Sequence, residues 1–231
     1  MSRGLGDVYK RQGISEAILL PEIAKILDRP LEKYAVELVN VDSVAFSPFV
    51  NLFSSQNVQT CFSKVAIVTD DDRCTKKSET NYINKDFDYD DVNSDISGKL
   101  LSGTPSERCN ELETSCRAVG INVFKATKTL EYALCCDENN IEYFIEAIKS
   151  EYSQLGPALE QKVNSLHDMN EKAACVWLFI RAREKCKGAI AQYISQIIKK
   201  QCEMRKRGEN IEKEFVIPDY LKEAVYCVTE R

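Results

Sequence analysis

The sequence predicts an α/β protein with a mostly parallel sheet flanked by helices, followed by a C-terminal helical extension. Three observations carry this. Residues 64–69 (KVAIVT) form a β-rich run that is apolar on both faces, as a central parallel strand is. From Gly13 to about Glu131, strand-like and helix-like patterns alternate, which is the signature of parallel strands joined by crossover helices. Beyond Glu131 the periodicity turns helical.

Residues 1–12 (MSRGLGDVYKRQ) have the period of neither helix nor strand. Residues 7–12, DVYKRQ, also read as the translation of a transposon-end adapter used in preparing sequencing libraries. They are expected to be an assembly artefact at the end of a truncated gene and to form no first strand. The alternative is a disordered natural N-terminus. From Gly13 a helix is expected. Ser15 is its candidate N-cap, Glu16 sits in its first turn, and Ile18, Leu19, Ile23, Ile26 and Leu27 supply an apolar face. Pro21 should kink that helix or begin its second part. Residues 36–41 (VELVNV) predict a strand, 46–53 a short helix, 64–69 the second strand and 120–124 the third. The polar stretch from Asp71 to about Thr104 is long for a loop and reads as a mobile or functional insertion. Helices are expected over 141–152, 157–165, 170–185 and 188–207, with Asp168 capping the third of these.

At 231 residues the chain is one large domain or a domain with a helical appendage. It is 44% hydrophobic and 29% charged, the balance of a globular protein with a real core. The ten cysteines are scattered without a C-x-x-C pair, so reduced, mostly buried thiols in a cytoplasm are expected rather than a disulfide framework or zinc site. No apolar run reaches membrane-span length and no signal peptide opens the chain, so no membrane partner is expected. The net charge of −5 by itself argues against a generic nucleic-acid binder. The charge is segregated, however: residues 70–95 are acidic and residues 181–213 mostly basic.

Four acidic residues stand at expected strand ends or in a first helical turn. Glu16 begins the first helix, Asp70 and Asp72 follow the strand KVAIVT, and Glu131 lies past the third strand. Open parallel sheets bind ligands outside the carboxyl ends of their strands. Carboxylates gathered there repel one another unless cations lie between them, and an oxygen-only donor set suits Mg²⁺ or Mn²⁺ rather than zinc. Two such ions can stabilise the attacking and leaving oxygens of phosphodiester cleavage. Taken singly, an Asp after a strand is more often a solvated turn residue or a helix cap.

Several segments resemble the Toprim half of OLD-family (overcoming lysogenisation defect) ATP-dependent endonucleases. Residues 13–21 (GISEAILLP) resemble the family's opening motif, Glu-Gly-x-Ser/Thr-Glu followed by an apolar run and Pro. Val39-Asn40-Val41, with Phe46 and Phe49 beyond, resembles its second strand and helix. Residues 68–72 (VTDDD) resemble Thr-Asp-x-Asp, residues 128–132 (KTLEY) the Thr-Leu-Glu motif, and residues 187–192 (KGAIAQ) the Lys-Gly-x-x-Ala-Gln segment with its essential lysine. The resemblance runs from Gly13 almost to the end. It implies a Toprim nuclease core over 13–135, with 71–104 as its insertion, and a helical part over 136–231 that completes the active site. It implies metal ligation by Glu16, Asp70, Asp72 and Glu131, and catalysis by Lys187, whose ammonium would offset charge developing on the phosphate. DNA is the implied substrate. A separate ATPase half, self-association into a homo-oligomer and a helicase are the implied partners.

Two departures stand out. Gln12 occupies the place of the motif's first glutamate, and the strand that should lead into it is absent. The chain as given is therefore expected to be inactive, and its parent active. No G-x-x-x-x-G-K-[ST] occurs, since Ser97-Gly98-Lys99 lacks the upstream glycine and the following hydroxyl residue, so ATP enters only through a missing N-terminal ATPase domain.

Arg181, Arg183 and Lys185 are candidate DNA-phosphate contacts, with an ordinary charged helix face as the alternative. Asp86, Asp88 and Asp90 look like a calcium loop, but Asp91 and Ser97 stand where Gly and Glu belong, which excludes an EF-hand. His167, the single histidine, has no partner motif, and Trp177 belongs on an apolar helix face. A primase-like or topoisomerase-like activity is disfavoured by the lack of a tyrosine motif or zinc region. A non-catalytic nucleic-acid-binding or assembly domain derived from a Toprim nuclease is the alternative of a different class.

Overall fold

The computed structural model describes residues 13–41, 46, 49–50, 64–73 and 87–230. Residues 1–12, and with them Gln12, lie outside the described residues, as does most of the helix expected over 46–53. Of that helix, Phe46, Phe49 and Val50 are described. The Phe46 carbonyl accepts hydrogen bonds from the Phe49 and Val50 amides at 2.8 and 3.2 Å, one helical turn.

The fold is α/β, mostly helical around a small parallel sheet. Strand β1 (Ala66–Asp70) pairs in parallel with β2 (Asn122–Ala126), in a register that sets Ala66 opposite Asn122 and Asp70 opposite Ala126. Parallel strands need a long crossover. Here it contains helices α2 (Ser94–Ser102) and α3 (Glu107–Ala118). The apolar character of β1 on both faces has a direct cause. Ile67 packs with Val123 on a small core formed by Val50, Leu112, Cys116 and Ile121. Val68 packs on the main core.

That main core is helical. Helix α1 is Ile14–Ile26, and α4 is the short Leu130–Leu134. Helices α5 (Glu138–Glu151), α6 (Gly156–Ser165), α7 (Met169–Ala182), α8 (Lys187–Arg207) and α9 (Asp219–Thr229) follow. α7 is the central rod, with every residue from Ala173 to Ile180 buried. The Asp168 side chain caps it, accepting hydrogen bonds from the Asn170 and Glu171 amides at 2.8 and 3.2 Å. α1 lies along α8, and α9 packs against both strands and α1.

Four sequence expectations are revised. Residues 36–41 form no regular strand among the described residues; Leu38 and Val39 are exposed. Alternation alone makes no strand without a ladder partner. α1 is one helix through Pro21, so Pro21 does not begin a second part; the Ala17 carbonyl forgoes its usual donor, and packing on α8 holds the helix. The N-cap of α1 is Gly13, in the left-handed region, and Ser15 turns its side chain inward. The described part of the polar insertion is structured, with a 3₁₀ turn at Tyr89–Asp91 followed by α2.

Described cysteines are free and mostly buried, Cys136 being exposed. No helix of the described residues is long and apolar enough to cross a membrane. His167 is exposed, and Trp177 is buried in the main core.

Two buried amides hold the segment that leads into α9. The fully buried Asn140 donates to the carbonyls of Leu134 and Val216 at 3.0 and 2.7 Å and accepts from the Val216 amide at 2.8 Å. Gln201 accepts from the Phe215 amide at 2.8 Å and donates to the Lys213 carbonyl at 2.9 Å. Asn140→Ala strands several backbone groups, so urea unfolding should show a loss of at least about 2 kcal/mol. An unchanged midpoint would mean that this lock is idle.

Candidate functional site

The carboxyl end of β1 and the turn after β2 are tied into one unit. β-type pairing carries past the strands: the Asp71 amide donates to the Ala126 carbonyl at 3.0 Å and the Asp72 amide to the Lys128 carbonyl at 3.2 Å. Asp72 and Lys128 both have positive φ, 45° and 70°. Non-glycine residues adopt that region at a cost and persist there only where their surroundings enforce it. Asp71 is the enforcing group. Its carboxylate is buried and accepts from the Arg73 amide at 2.9 Å, from Arg73 Nε and Nη2 at 2.8 and 2.7 Å, and from the Lys128 amide at 2.9 Å. Arg73 also donates to the Leu101 carbonyl at 3.0 Å, which fixes the end of α2.

This clasp aims its neighbours differently. Asp70 points the other way from Asp71 along the strand, and its Oδ1 accepts from the Leu130 amide at the start of α4, at 2.8 Å. Thr129 caps α4 by accepting from the Tyr132 amide at 3.3 Å, so Glu131 lies in the first turn of α4, buried. The Ser15 hydroxyl of α1 donates to Glu131 Oε1 at 3.2 Å, and Lys187 Nζ stands 3.6 Å from the same oxygen. Glu16 is the next residue of α1. Four separate elements thus bring Glu16, Asp70, Glu131 and Lys187 together. Asp72 is at their margin, paired with Arg108 of α3.

The electrostatics agree with this geometry. Burial pushes the Asp70 carboxyl well above the usual aspartate range, and Glu16, Glu131 and Asp72 push it further, with Lys187 opposing. Glu16 is raised by burial, with Glu131 and Asp72 adding to the rise and Lys187 opposing it. Burial raises Asp72, while Arg108 and Lys128 pull it back. Lys187 is the first residue of α8, where the helix dipole disfavours a cation. Its carboxylate neighbours hold it there instead.

This donor set fits a hard divalent cation. It is all oxygen, it is partly buried, and the proton affinities of Glu16, Asp70 and Asp72 are raised by burial and further by neighbouring carboxylates, which positive charge would offset. Among the described residues, no three His, Cys, Asp or Glu side chains are gathered as ligands of a single ion. Mg²⁺ commonly takes one or two carboxylates and keeps waters for the rest of its shell, which is the fit these residues offer.

The basic candidates fall elsewhere. Arg181 donates to the Phe87 carbonyl at 2.6 Å and lies over the Trp177 ring, with Lys128 5.0 Å from the same ring centroid. Arg183 grips both carboxylate oxygens of Asp88 at 3.2 Å and covers the Phe179 ring. Both guanidinium groups anchor the segment after residue 86. Lys185 is exposed.

Sequence reasoning missed Asp71, Arg108, Lys128 and the inward role of Ser15. The Asp71 signal was the middle position of an acidic triplet, which reads as a spacer. It also missed α9, and with it Tyr220, whose hydroxyl is buried near the cluster with no hydrogen-bond partner among the described residues.

Comparison with known proteins reaches the same region. Residues 13–72 match the TOPRIM domain of the overcoming lysogenization defect protein-like family. No curated protein sequence matches the chain. Among solved structures, the C-terminal region of the Xanthomonas campestris pv. campestris OLD protein is similar over 95% of this chain and 89% of its own, at 19% identity and a TM-score of 0.54. Residues 13–72 thus match an OLD-like TOPRIM domain, and the chain is similar in fold to an OLD C-terminal region along nearly its whole length.

Proposed function

We propose that this chain is the nuclease part of a metal-dependent DNA endonuclease of OLD type, with Glu16, Asp70, Asp72 and Glu131 as ligands for Mg²⁺ or Mn²⁺. The observation that carries the reading is the convergence of Asp70, Glu16 and Glu131 beside Lys187, with Asp70 held far above its ordinary proton affinity. Buried carboxylates clustered in this way destabilise a fold unless a ligand uses them. A divalent cation would polarise a phosphoryl oxygen and bring a nucleophilic water within reach at neutral pH.

The chain's own residues do the rest. Asp70 is fixed by the Leu130 amide and Glu131 by the Ser15 hydroxyl, so both present their second oxygens with little freedom. Lys187 holds a positive charge at the same place, where it can offset negative charge that builds on the phosphate during displacement. Lys185, exposed two residues before it, is the better placed of the basic candidates to meet a backbone phosphate. For Arg181 and Arg183 the geometry favours anchoring of the 87–88 segment over DNA contact. In this reading ATP acts only through a separate ATPase half, and self-association and a helicase partner belong to the whole assembly. The domain division remains 13–135 for the nuclease core and 136–231 for the helical part that completes it.

The second reading, a non-catalytic nucleic-acid-binding or assembly domain, draws on the absence of a three-ligand gathering among the described residues. Cleavage separates the two. The full-length parent should nick supercoiled DNA with Mg²⁺ or Mn²⁺ and stop on chelation. Binding of DNA without cleavage under any divalent cation would favour the second reading.

A further inference from the structure

Tyr220 is the second residue of α9, a helix packed against β1, β2 and α1. Its ring rests on the main core. Its hydroxyl is closed to solvent and finds no hydrogen-bond partner among the described residues. Buried polar groups in native proteins are almost always paired, and an exception calls for a bound water, an ion or a functional role. The charges that act on this hydroxyl are Asp70, Glu16 and Glu131, from three different elements. A second unpaired buried hydroxyl among the described residues, on Tyr132, has Cys136, Asp168 and Arg73 in its surroundings instead. The phenol of Tyr220 is thus the one neutral donor delivered to the carboxylate cluster by the C-terminal helix, and none of the three carboxylates takes its proton in a hydrogen bond.

We infer that Tyr220 is a further ligand-contacting residue of the site, whose hydroxyl donates a hydrogen bond to an oxygen held at the carboxylate cluster, either a water in a cation's shell or a phosphate oxygen of DNA. A phenol is protonated at neutral pH, so this hydroxyl has a proton to donate. The Asn140 and Gln201 locks on residues 213–217 then gain a purpose, since they set the position from which α9 delivers this group. The inference rests on the divalent-cation reading of the cluster.

Tyr220→Phe removes the hydroxyl and keeps the ring. The test compares this variant with the parent chain by calorimetric titration with Mn²⁺, and by fluorescence anisotropy of a labelled oligonucleotide with Mn²⁺ present. If the acceptor is a water, Mn²⁺ affinity falls about tenfold without DNA, the effect of one hydrogen bond to a strongly polarised group. If it is a phosphate oxygen, Mn²⁺ affinity holds and oligonucleotide affinity falls by about the same factor. In either case the thermal midpoint of the metal-free chain stays level or rises, because no hydrogen bond within the protein is lost. Unchanged affinities in the variant, with a parent that binds Mn²⁺, overturn this inference alone. A clear drop in the metal-free midpoint also overturns it, since the hydroxyl would then serve the fold. A parent that binds no Mn²⁺ overturns the cation reading and this inference with it.

Discussion

Asp70→Asn is expected to abolish tight Mn²⁺ binding and, at neutral pH without metal, to make the chain more stable. The two effects have one cause. Asp70 lies among Glu16, Glu131 and Asp72, and burial and repulsion raise its proton affinity. An amide keeps the acceptor for the Leu130 amide and removes the charge that a cation needs. Glu16 and Asp72 are raised as well, so the sign of the pH dependence is fixed. The folded chain retains these protons to higher pH than the unfolded chain does. The metal-free protein therefore bears no penalty below the unfolded values, 3.8 for Asp and 4.5 for Glu, and loses stability as pH rises from there through the raised folded values. Urea unfolding at pH 5 and pH 7 should show this loss in the parent and a smaller one in Asp70→Asn, the difference being on the order of 1 kcal/mol. Added Mn²⁺ should restore the parent at pH 7 and leave the variant unmoved. A variant less stable than the parent at pH 7 would mean that Asp70 is an ordinary structural carboxylate.

Lys187→Ala should separate chemistry from metal binding. In the full-length parent, cleavage should fall by about 10²–10³-fold, the scale seen when one preorganised group facing transition-state charge is removed. Cation affinity should hold or tighten, because Glu131 loses a competing positive charge 3.6 Å away. Rate measurement at saturating Mn²⁺, beside calorimetry on the same protein, reads the two quantities independently. Loss of both together would make Lys187 a prop for Glu131 rather than a catalytic group.

Much of this site was legible in sequence because its residues sit where strand and helix ends must be. KVAIVT reads as a parallel strand apolar on both faces, and Asp70 and Asp72 come at its carboxyl end. The Asp168 cap was readable from residue type and spacing alone. What stayed hidden depends on long-range partners. Asp71 is a clasp only because Arg73 folds back and the Lys128 amide arrives from 57 residues away. Ser15 reads as a helix cap until Glu131 appears opposite it. Residues 36–41 alternate like a strand, yet Leu38 and Val39 remain exposed, since local propensity does not supply a pairing edge. α9 was passed over although Pro218 and Asp219 mark its start and Leu221, Ala224 and Val225 give its buried face. Tyr220 had no signal of its own, because an unpaired hydroxyl is a property of three-dimensional surroundings.

The central claim is that Glu16, Asp70, Asp72 and Glu131 await a divalent cation. Calorimetric titration of the metal-free chain with Mn²⁺ at pH 6, repeated in two buffers of different ionisation enthalpy, tests it most directly. Saturable binding should displace protons from the raised carboxyls of Glu16, Asp70 and Asp72, so the observed enthalpy depends on the buffer, and Asp70→Asn should show neither. Absence of saturable binding at millimolar Mn²⁺, or binding that survives Asp70→Asn unchanged, would contradict it.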